Sequence, residues 1–280
     1  MSVTITPLGE HAGAEVGGLD LRQPVDAETR KRLNRALADH VALVFRDQEL
    51  TPKQFADAGR LFGTPMKQLL QQYHLPDCPE VGVVSNRDRD AAGDGKILIR
   101  GTTWHTDHSN KEIPPKATAL YSVSLPDSGG DTKFTNTAAA YDALPAETKQ
   151  RIDGLKAVHA YLSSRTPRKL PKRTGSEAKE SPPVEQPLVR THPENGRKAL
   201  YLNPVRIEEF VGMEKEAGFA LLNELMAHAT EERFQYRHKW RLGDMVIWDD
   251  RCSMHEANMD YDMSQLRLLH RLMIEGTKPV

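Results

Sequence analysis

A histidine and an aspartate stand two residues apart in the stretch WHTDHSN, residues 104–110. If this stretch is a β-strand, side chains alternate, so His105 and Asp107 project from one face and His108 from the other. An imidazole and a carboxylate on one face are able to bind a single metal ion. A hydrogen-bonded pair on an ordinary strand explains so short a pattern about equally well.

A third ligand must come from elsewhere in a chain with eleven histidines. We expect His255, because it follows the buried strand pattern that ends at Trp248, where a strand would reach the mouth of a barrel. Two histidines and one carboxylate leave coordination positions open, which suits non-haem Fe(II) enzymes that activate oxygen. His270 points away from this site if Arg267 and Arg271, on the same strand pattern, both face it.

Most other histidines have a structural interpretation. His238 alternates with large aromatic residues, so we expect it to be packed and hydrogen-bonded. His74 lies in a weakly patterned region that could face a substrate. Four further histidines lie in polar or helical stretches and are expected at the surface or as capping residues. They are His11, His40, His192 and His228.

The elements that position these residues follow from the hydrophobic pattern. Strand patterns recur at short intervals with turns between them, and residues 119–125 and 132–135 suggest an antiparallel hairpin around Gly129-Gly130. This order is typical of an antiparallel double-sheet barrel wrapped by helices, and not of alternating βαβ units. Helices are predicted over residues 27–39, from Thr51 to about Phe62, over 144–152 and over 214–229.

Residues 163–187 contain five prolines, many lysines and arginines, and almost nothing apolar. A segment of this composition cannot bury itself. It is either a disordered surface loop or a lid that closes over substrate, and the composition fits both interpretations.

Length and composition limit the remaining possibilities. The chain has 280 residues and a net charge of −1, so no global field favours nucleic acid or an anionic membrane. Two cysteines are too few for a disulfide framework, and no signal sequence or long apolar run is present. We therefore expect one domain over residues 1–280, in a cytoplasmic protein that forms a homo-oligomer.

Four motifs, in order, resemble the TauD/TfdA family of taurine and phenoxyacetate dioxygenases. They are WHTD at 104–107, GGDT at 129–132, WD at 248–249 with the later His255, and RLLHR at 267–271. The similarity extends to VFRDQ at 44–48 and PLVRTHP at 187–193. The resemblance implies a mainly β fold with surrounding helices, a double-stranded β-helix (jelly-roll) core, and an oxidoreductase that uses Fe(II), 2-oxoglutarate and O2.

The resemblance also implies roles for individual residues. His105, Asp107 and His255 match the iron ligands. A further set matches the 2-oxoglutarate site, where arginine suits the distal carboxylate because its donors form a fork; these residues are Thr132, Arg267 and Trp248.

Residues for the primary substrate are implied less directly. Arg271 matches a position that in the family can contact the anionic group of the substrate, although a salt-bridged strand arginine is the alternative. Gly101 stands where the taurine enzymes have asparagine, and residues 68–71 lack their substrate histidine, so taurine is not expected. His74 and Gly101 complete the candidate substrate residues. The spacing from His255 to Arg267 is one residue longer than is usual in the family.

The expected reaction hydroxylates a C–H bond of a small anionic substrate, such as an aryloxyalkanoate or another carboxylate, and releases succinate and CO2. A sulfonate or sulfate ester dioxygenase of the same family is an alternative. Asp107 argues against the halogenating relatives, which lack the acidic ligand. Two further alternatives are a non-catalytic metal-binding β-barrel, which would not need Thr132 and Arg267, and a zinc hydrolase.

Overall fold

Short strands and helices make up the part of the chain that the structure, a computed structural model, describes: residues 3–67, 73–89, 95–97, 99–166 and 182–280. The strands are β1 (Thr4–Pro7), β2 (Ala14–Gly17), β3 (Ala42–Phe45), β4 (His74–Leu75), β5 (Cys78–Ser85), β6 (Ala117–Ser124), β7 (Thr132–Asn136), β8 (Lys156–His159), β9 (Val184–Pro187), β10 (Val189–Thr191), β11 (Lys198–Leu200), β12 (Ile207–Phe210), β13 (Gln235–His238), β14 (Met245–Asp249), β15 (Ser253–Ala257) and β16 (Leu268–Ile274). The helices are α1 (Ala27–His40), α2 (Pro52–Gly59), α3 (Thr137–Asp142), α4 (Ala146–Ile152) and α5 (Lys215–Ala229), with a 3-10 helix at Glu232–Phe234.

Two sheets form the walls around the interior. The larger has the strand order β1-β2-β3-β14-β6-β16-β5-β4, and the smaller has the order β13-β7-β15. Every described pairing in them is antiparallel except β2 with β3. Two further small sheets, β12-β8-β9 and β10-β11, extend the structure beyond these walls.

Helices α1 and α2 cover the outer face of the large sheet. Both begin at the predicted caps: Asp26 accepts hydrogen bonds from two backbone N–H groups of α1, and Thr51 forms a capping box with Gln54 at the start of α2. Their apolar residues pack with alternate strand residues such as Leu43 and Phe45. No helix within the described ranges is long and apolar enough to cross a membrane.

The inner face of the large sheet packs against the small sheet. Strand residues of the other parity, including Val44, Leu120 and Trp248, form a separate apolar cluster with Phe134 of β7. The Phe134 and Trp248 ring centroids are 5.3 Å apart. The two sheets therefore face each other as the sequence predicts, and the candidate site lies at the edge of the space between them.

The predicted hairpin is wrong. Strand β6 pairs with β14 and β16 in the large sheet, whereas β7 pairs with β13 and β15 in the small one. Gly129 and Gly130, with φ of 75° and 71°, turn the chain from one sheet to the other. A Cβ at Gly130 would lie 3.0 Å from the Arg267 Nε, so the chain crosses at a place that only glycine fits well.

The predicted loop at 163–187 is partly a strand. Its last four residues form β9, which pairs antiparallel with β8. Val184 lies opposite His159, and Pro187 lies opposite Lys156. Residues 167–181 lie outside the described ranges, and so do residues 68–72, which include the stretch compared with the taurine enzymes. The lid therefore stays a prediction.

Candidate active site

His105 and His255 are held side by side by their own backbones. The His105 N–H donates to the His255 carbonyl at 3.1 Å, and the His255 N–H donates to the His105 carbonyl at 2.9 Å. This isolated bridge joins the stretch after Gly101 to β15 and brings the ring centroids to 4.2 Å. Backbone pairing thus places together two imidazoles that are far apart in sequence.

Asp107 reaches the same point by a different route from the one predicted. Only His105 pairs in a strand-like way, and residues 107–110 form a turn in which His108 has a φ of 46°. The Asp107 Oδ1 nevertheless lies 3.9 Å from the His105 Nε2, too long for a hydrogen bond and short enough for one ion to contact both. His105, Asp107 and His255 form a group with ligand atoms within 4.8 Å of one another, and His108 is not in it.

Both histidines are in the form that binds metal. The His105 Nδ1 is 2.7 Å from the Thr103 carbonyl, which only accepts, so Nδ1 carries the proton and Nε2 has a lone pair to offer. Burial lowers the pKa of His105. For His255, burial and then electrostatic repulsion from the neighbouring His105 lower the pKa to about 3. Metal ligation requires neutral imidazoles, so this donor set fits a divalent cation.

A hydroxyl holds the carboxylate in place. The Thr118 Oγ1 is 2.9 Å from the Asp107 Oδ2 and 2.7 Å from the Asp250 Oδ2. Burial, followed by the charge of Asp107, raises the pKa of Asp250 well above its ordinary value. For Asp107, burial acts to raise the pKa, but electrostatic interactions with His255 and with the Arg271 guanidinium outweigh it, lower the pKa and keep the carboxyl ionised.

The three candidate ligands open into a cavity. Of the nine residues that the sequence proposes for the site, eight line it, and His74 does not. His74 is on the edge strand β4, where its Nδ1 lies 3.1 Å from the Leu75 carbonyl. The lining residues are Val84, Arg100, Gly101, His105, Asp107, Leu120, Thr132, Trp248, His255, Ala257, Arg267 and Arg271.

The candidate 2-oxoglutarate residues are fixed by hydrogen bonds. Arg267 donates to the Gly130 carbonyl from Nε at 3.1 Å and from Nη2 at 2.9 Å, and its side chain is buried. The Thr132 hydroxyl accepts from the Trp240 indole at 3.0 Å. A guanidinium and a hydroxyl thus line the same cavity, and both can donate hydrogen bonds to a carboxylate. The sequence pattern did not mark Trp240 as a site residue. Its position two residues after His238, on the same face of the predicted strand, could have suggested that it points into the interior.

Arg267 and Arg271 both face the cavity, and His270 points to the opposite side of the sheet as predicted. The His270 ring lies 6.4 Å from the ring of Tyr121, a residue of the outer cluster beneath α2. His238 is also as predicted: it is buried, and its Nε2 is 3.1 Å from the Asp244 Oδ2.

The prediction for His192 is wrong. It is 1% exposed, and its Nε2 lies 3.0 Å from the Asp249 Oδ2. Arg251 donates to both oxygens of the same carboxylate, at 2.8 and 2.6 Å. The polar sequence around His192 gave no sign of this burial, because the partners lie almost 60 positions away. Cys252 is close enough to make a metal-like group with His192 and Asp249, but Arg251 already occupies the carboxylate.

The geometry can be compared with known proteins. A profile of the family described as "Taurine catabolism dioxygenase TauD, TfdA family" matches residues 4–273. This chain belongs to the TauD/TfdA family. It is 35% identical to the alpha-ketoglutarate-dependent 2,4-dichlorophenoxyacetate dioxygenase of Cupriavidus pinatubonensis, over 97% of each chain. It is 33% identical to the alpha-ketoglutarate-dependent sulfate ester dioxygenase of Pseudomonas putida, over 100% of this chain and 92% of that protein.

A solved structure supports the fold of this TauD/TfdA family member. The crystal structure of AAD-2 in complex with Mn(II) and N-oxalylglycine matches 100% of this chain and 99% of that one, with a TM-score of 0.84 and 34% identity. The predicted double-stranded β-helix core is thereby confirmed. The chain is an oxidoreductase, a dioxygenase that depends on Fe(II), 2-oxoglutarate and O2.

Proposed function

We propose that His105, Asp107 and His255 hold the Fe(II) of this dioxygenase. Their three ligand atoms converge within 4.8 Å at the cavity, and two of them are neutral imidazole nitrogens. A bound Fe(II) ion would supply the redox-active centre at which O2 is reduced, and over the whole reaction the electrons come from 2-oxoglutarate and from the substrate C–H bond. Three protein ligands leave positions for the keto acid end of 2-oxoglutarate and for oxygen.

Thr132 and Arg267, with Trp248 packed beside His255, bind 2-oxoglutarate in this proposal. The Trp248 and His255 ring centroids are 4.5 Å apart, so the indole closes the apolar side of the site. Arg267 would bind the distal carboxylate, and the keto acid end would then face the three candidate metal ligands. The single observation that carries the assignment is that this guanidinium and the three ligands line one cavity.

The primary substrate is a small organic anion that is hydroxylated at a C–H bond. Arg271 provides a cationic wall, and Val84, Leu120 and Ala257 provide apolar walls for the substrate body. One oxygen atom of O2 enters succinate as 2-oxoglutarate loses CO2, and the other enters the product. At a carbon next to an ether or ester oxygen, the hydroxylated product collapses to a carbonyl compound and releases the alcohol or sulfate.

Relatives suggest two substrate types. Proteins about one-third identical to this chain are named for 2,4-dichlorophenoxyacetate and for sulfate esters, and both are anions with an oxygen beside the reactive carbon. An aryloxyalkanoate is our first candidate and a sulfate ester the second. Gly101 lines the cavity without a side chain, which leaves room that the asparagine of the taurine enzymes would fill.

The test measures succinate release under air from protein loaded with Fe(II). The panel includes 2,4-dichlorophenoxyacetate, an alkyl sulfate and taurine, with the neutral methyl ester of the phenoxyacetate as a matched control. We expect Fe(II)-dependent succinate that rises with an anionic probe and not with the ester. Iron-loaded protein that releases no succinate, even without a primary substrate, would overturn the proposal.

A further inference from the structure

A third arginine, Arg100, lies on the cavity wall beside Gly101. Its Nη2 donates to the Val83 carbonyl at 2.8 Å and pairs with the Asp88 carboxylate. The guanidinium carbon is 4.3 Å from the centre of the Tyr73 ring. Its Nε is buried and makes no hydrogen bond with the residues that the structure describes. The group is therefore held rigidly while part of its donor capacity is unused.

The framework that holds Arg100 is itself anchored to the large sheet. Asp88 accepts a hydrogen bond from the Ser85 N–H at 3.1 Å, at the end of β5, which pairs with β16. Arg271 lies on β16 and lines the same cavity. Two guanidinium groups are thus fixed to adjacent strands, and fixed donors lose little conformational entropy when they bind.

The charges of the cavity wall are unbalanced. Among the described lining residues Asp107 is the only carboxylate, and we assign Asp107 to the metal and Arg267 to 2-oxoglutarate. Arg100 and Arg271 remain for the primary substrate. Burial and the charge of Arg100 both lower the pKa of Arg271, so the two cations repel each other, and an anion bound near both would relieve the repulsion.

We propose that Arg100 is a specificity-determining residue that binds the oxyanion of the primary substrate together with Arg271. This inference rests on the proposed function and names the group that would select anionic substrates. The shared chemistry is a carboxylate or a sulfate, each able to accept hydrogen bonds from a guanidinium. Asp88 lowers the affinity of the site for an anion because it neutralises part of the charge of Arg100.

The alternative role for Arg100 is structural, as a link from the Gly101 segment to Asp88. Two substitutions separate the roles. Arg100→Met removes the cation and the link, whereas Asp88→Asn removes the link and leaves the cation with more of its charge. A binding role predicts opposite effects on anion affinity, and a structural role predicts effects of the same sign.

The experiment is calorimetric titration of protein loaded with Mn(II) and N-oxalylglycine. The probes are 2,4-dichlorophenoxyacetate, an alkyl sulfate and inorganic sulfate, and the two organic probes distinguish the carboxylate from the sulfate. We expect Arg100→Met to raise the Kd of the bound oxyanion by at least about tenfold and Asp88→Asn to lower it. Arg87→Met is the matched control, because Arg87 is an arginine of the same segment that donates to backbone carbonyls outside the cavity lining.

Kinetics provide a second measurement. Arg100→Met should raise the KM for the anionic substrate by at least about tenfold, whereas the control Arg87→Met should leave that KM within about twofold of the wild-type value. Unchanged oxyanion binding in Arg100→Met, weaker binding in Asp88→Asn, or no oxyanion binding by the wild-type protein would each overturn the inference. Loss of succinate release from the wild-type enzyme would instead contradict the proposed function.

Discussion

The Thr118 hydroxyl lies 2.9 Å from the Asp107 Oδ2, in the centre of the sheet behind the candidate metal ligands. The same oxygen is 2.7 Å from the Asp250 Oδ2. A hydroxyl has one proton and can donate to only one carboxylate. Because the pKa of Asp107 is lowered and that of Asp250 is raised, we infer that Asp250 is the protonated partner, which donates to Thr118 while Thr118 donates to Asp107.

Removal of the Thr118 hydroxyl should weaken metal binding. Thr118→Val keeps the shape of the side chain but leaves the Asp107 Oδ2 without its donor, so we expect a 10- to 100-fold loss of affinity, on the order seen for residues that orient metal ligands. Thr118→Ser is the matched control and should bind nearly as tightly as the wild type. The measurement is the Kd for Mn(II) by calorimetry.

Asp250→Asn tests the protonation state. An amide is neutral like a protonated acid and can donate to Thr118, so Mn(II) affinity should stay within about threefold of the wild-type value. A loss as large as that of Thr118→Val would mean that Asp250 acts as a charged group.

Arg267 and Arg271 should affect different ligands. Arg267→Lys loses the forked donor that we propose for the distal carboxylate of 2-oxoglutarate, so the Kd of 2-oxoglutarate should rise about 10- to 100-fold, and Mn(II) affinity should stay the same. Arg271→Lys should leave 2-oxoglutarate binding unchanged and weaken binding of the anionic probe. Calorimetry with each ligand in turn measures both effects. Equal loss of 2-oxoglutarate binding in the two variants would contradict the assignment.

Gly101 has a φ of 77°, a conformation that costs an ordinary residue about 1 to 2 kcal/mol. An added Cβ would lie 3.4 Å from the His105 Cε1, which is ordinary contact, so backbone strain dominates. Gly101→Ala should lower the free energy of unfolding by about that amount, and Gly101→Asn by less, because asparagine tolerates this conformation. Urea unfolding of both variants measures the difference, and an equal cost for the two would contradict the explanation.

His159 should make the protein less stable in acid. It is fully buried, and burial followed by the charge of Arg206 lowers its pKa to about 3. Its pKa in the unfolded chain is about 6.5, so between these values the unfolded state binds a proton that the folded state does not, and stability falls as the pH drops below about 6.5. His159→Gln should reduce the loss of unfolding free energy between pH 7.0 and 5.5 by about 1 kcal/mol. Urea unfolding at both pH values is the test, and an unchanged loss would count against it.

Local patterns in the sequence predicted much of the fold. The caps at Asp26 and Thr51 begin α1 and α2 as expected, and Leu221, Leu222 and Leu225 pack in the core from α5. These features depend on residues a few positions apart. The hairpin around Gly129-Gly130 failed because a turn sequence indicates where the chain reverses and not which sheet the next strand joins.

The sequence by itself determined the chemical groups of the site. The pair His105 and Asp107, the later His255 and the family motifs indicated the candidate ligands without coordinates, because each motif is a short run of neighbouring residues. Only the tertiary structure decided how they meet: the bridge from His105 to His255, a turn at Asp107 instead of a strand, and the burial of His192 against Asp249. Each of these depends on strand pairing or packing between segments far apart in the chain, and neighbouring residues do not encode it.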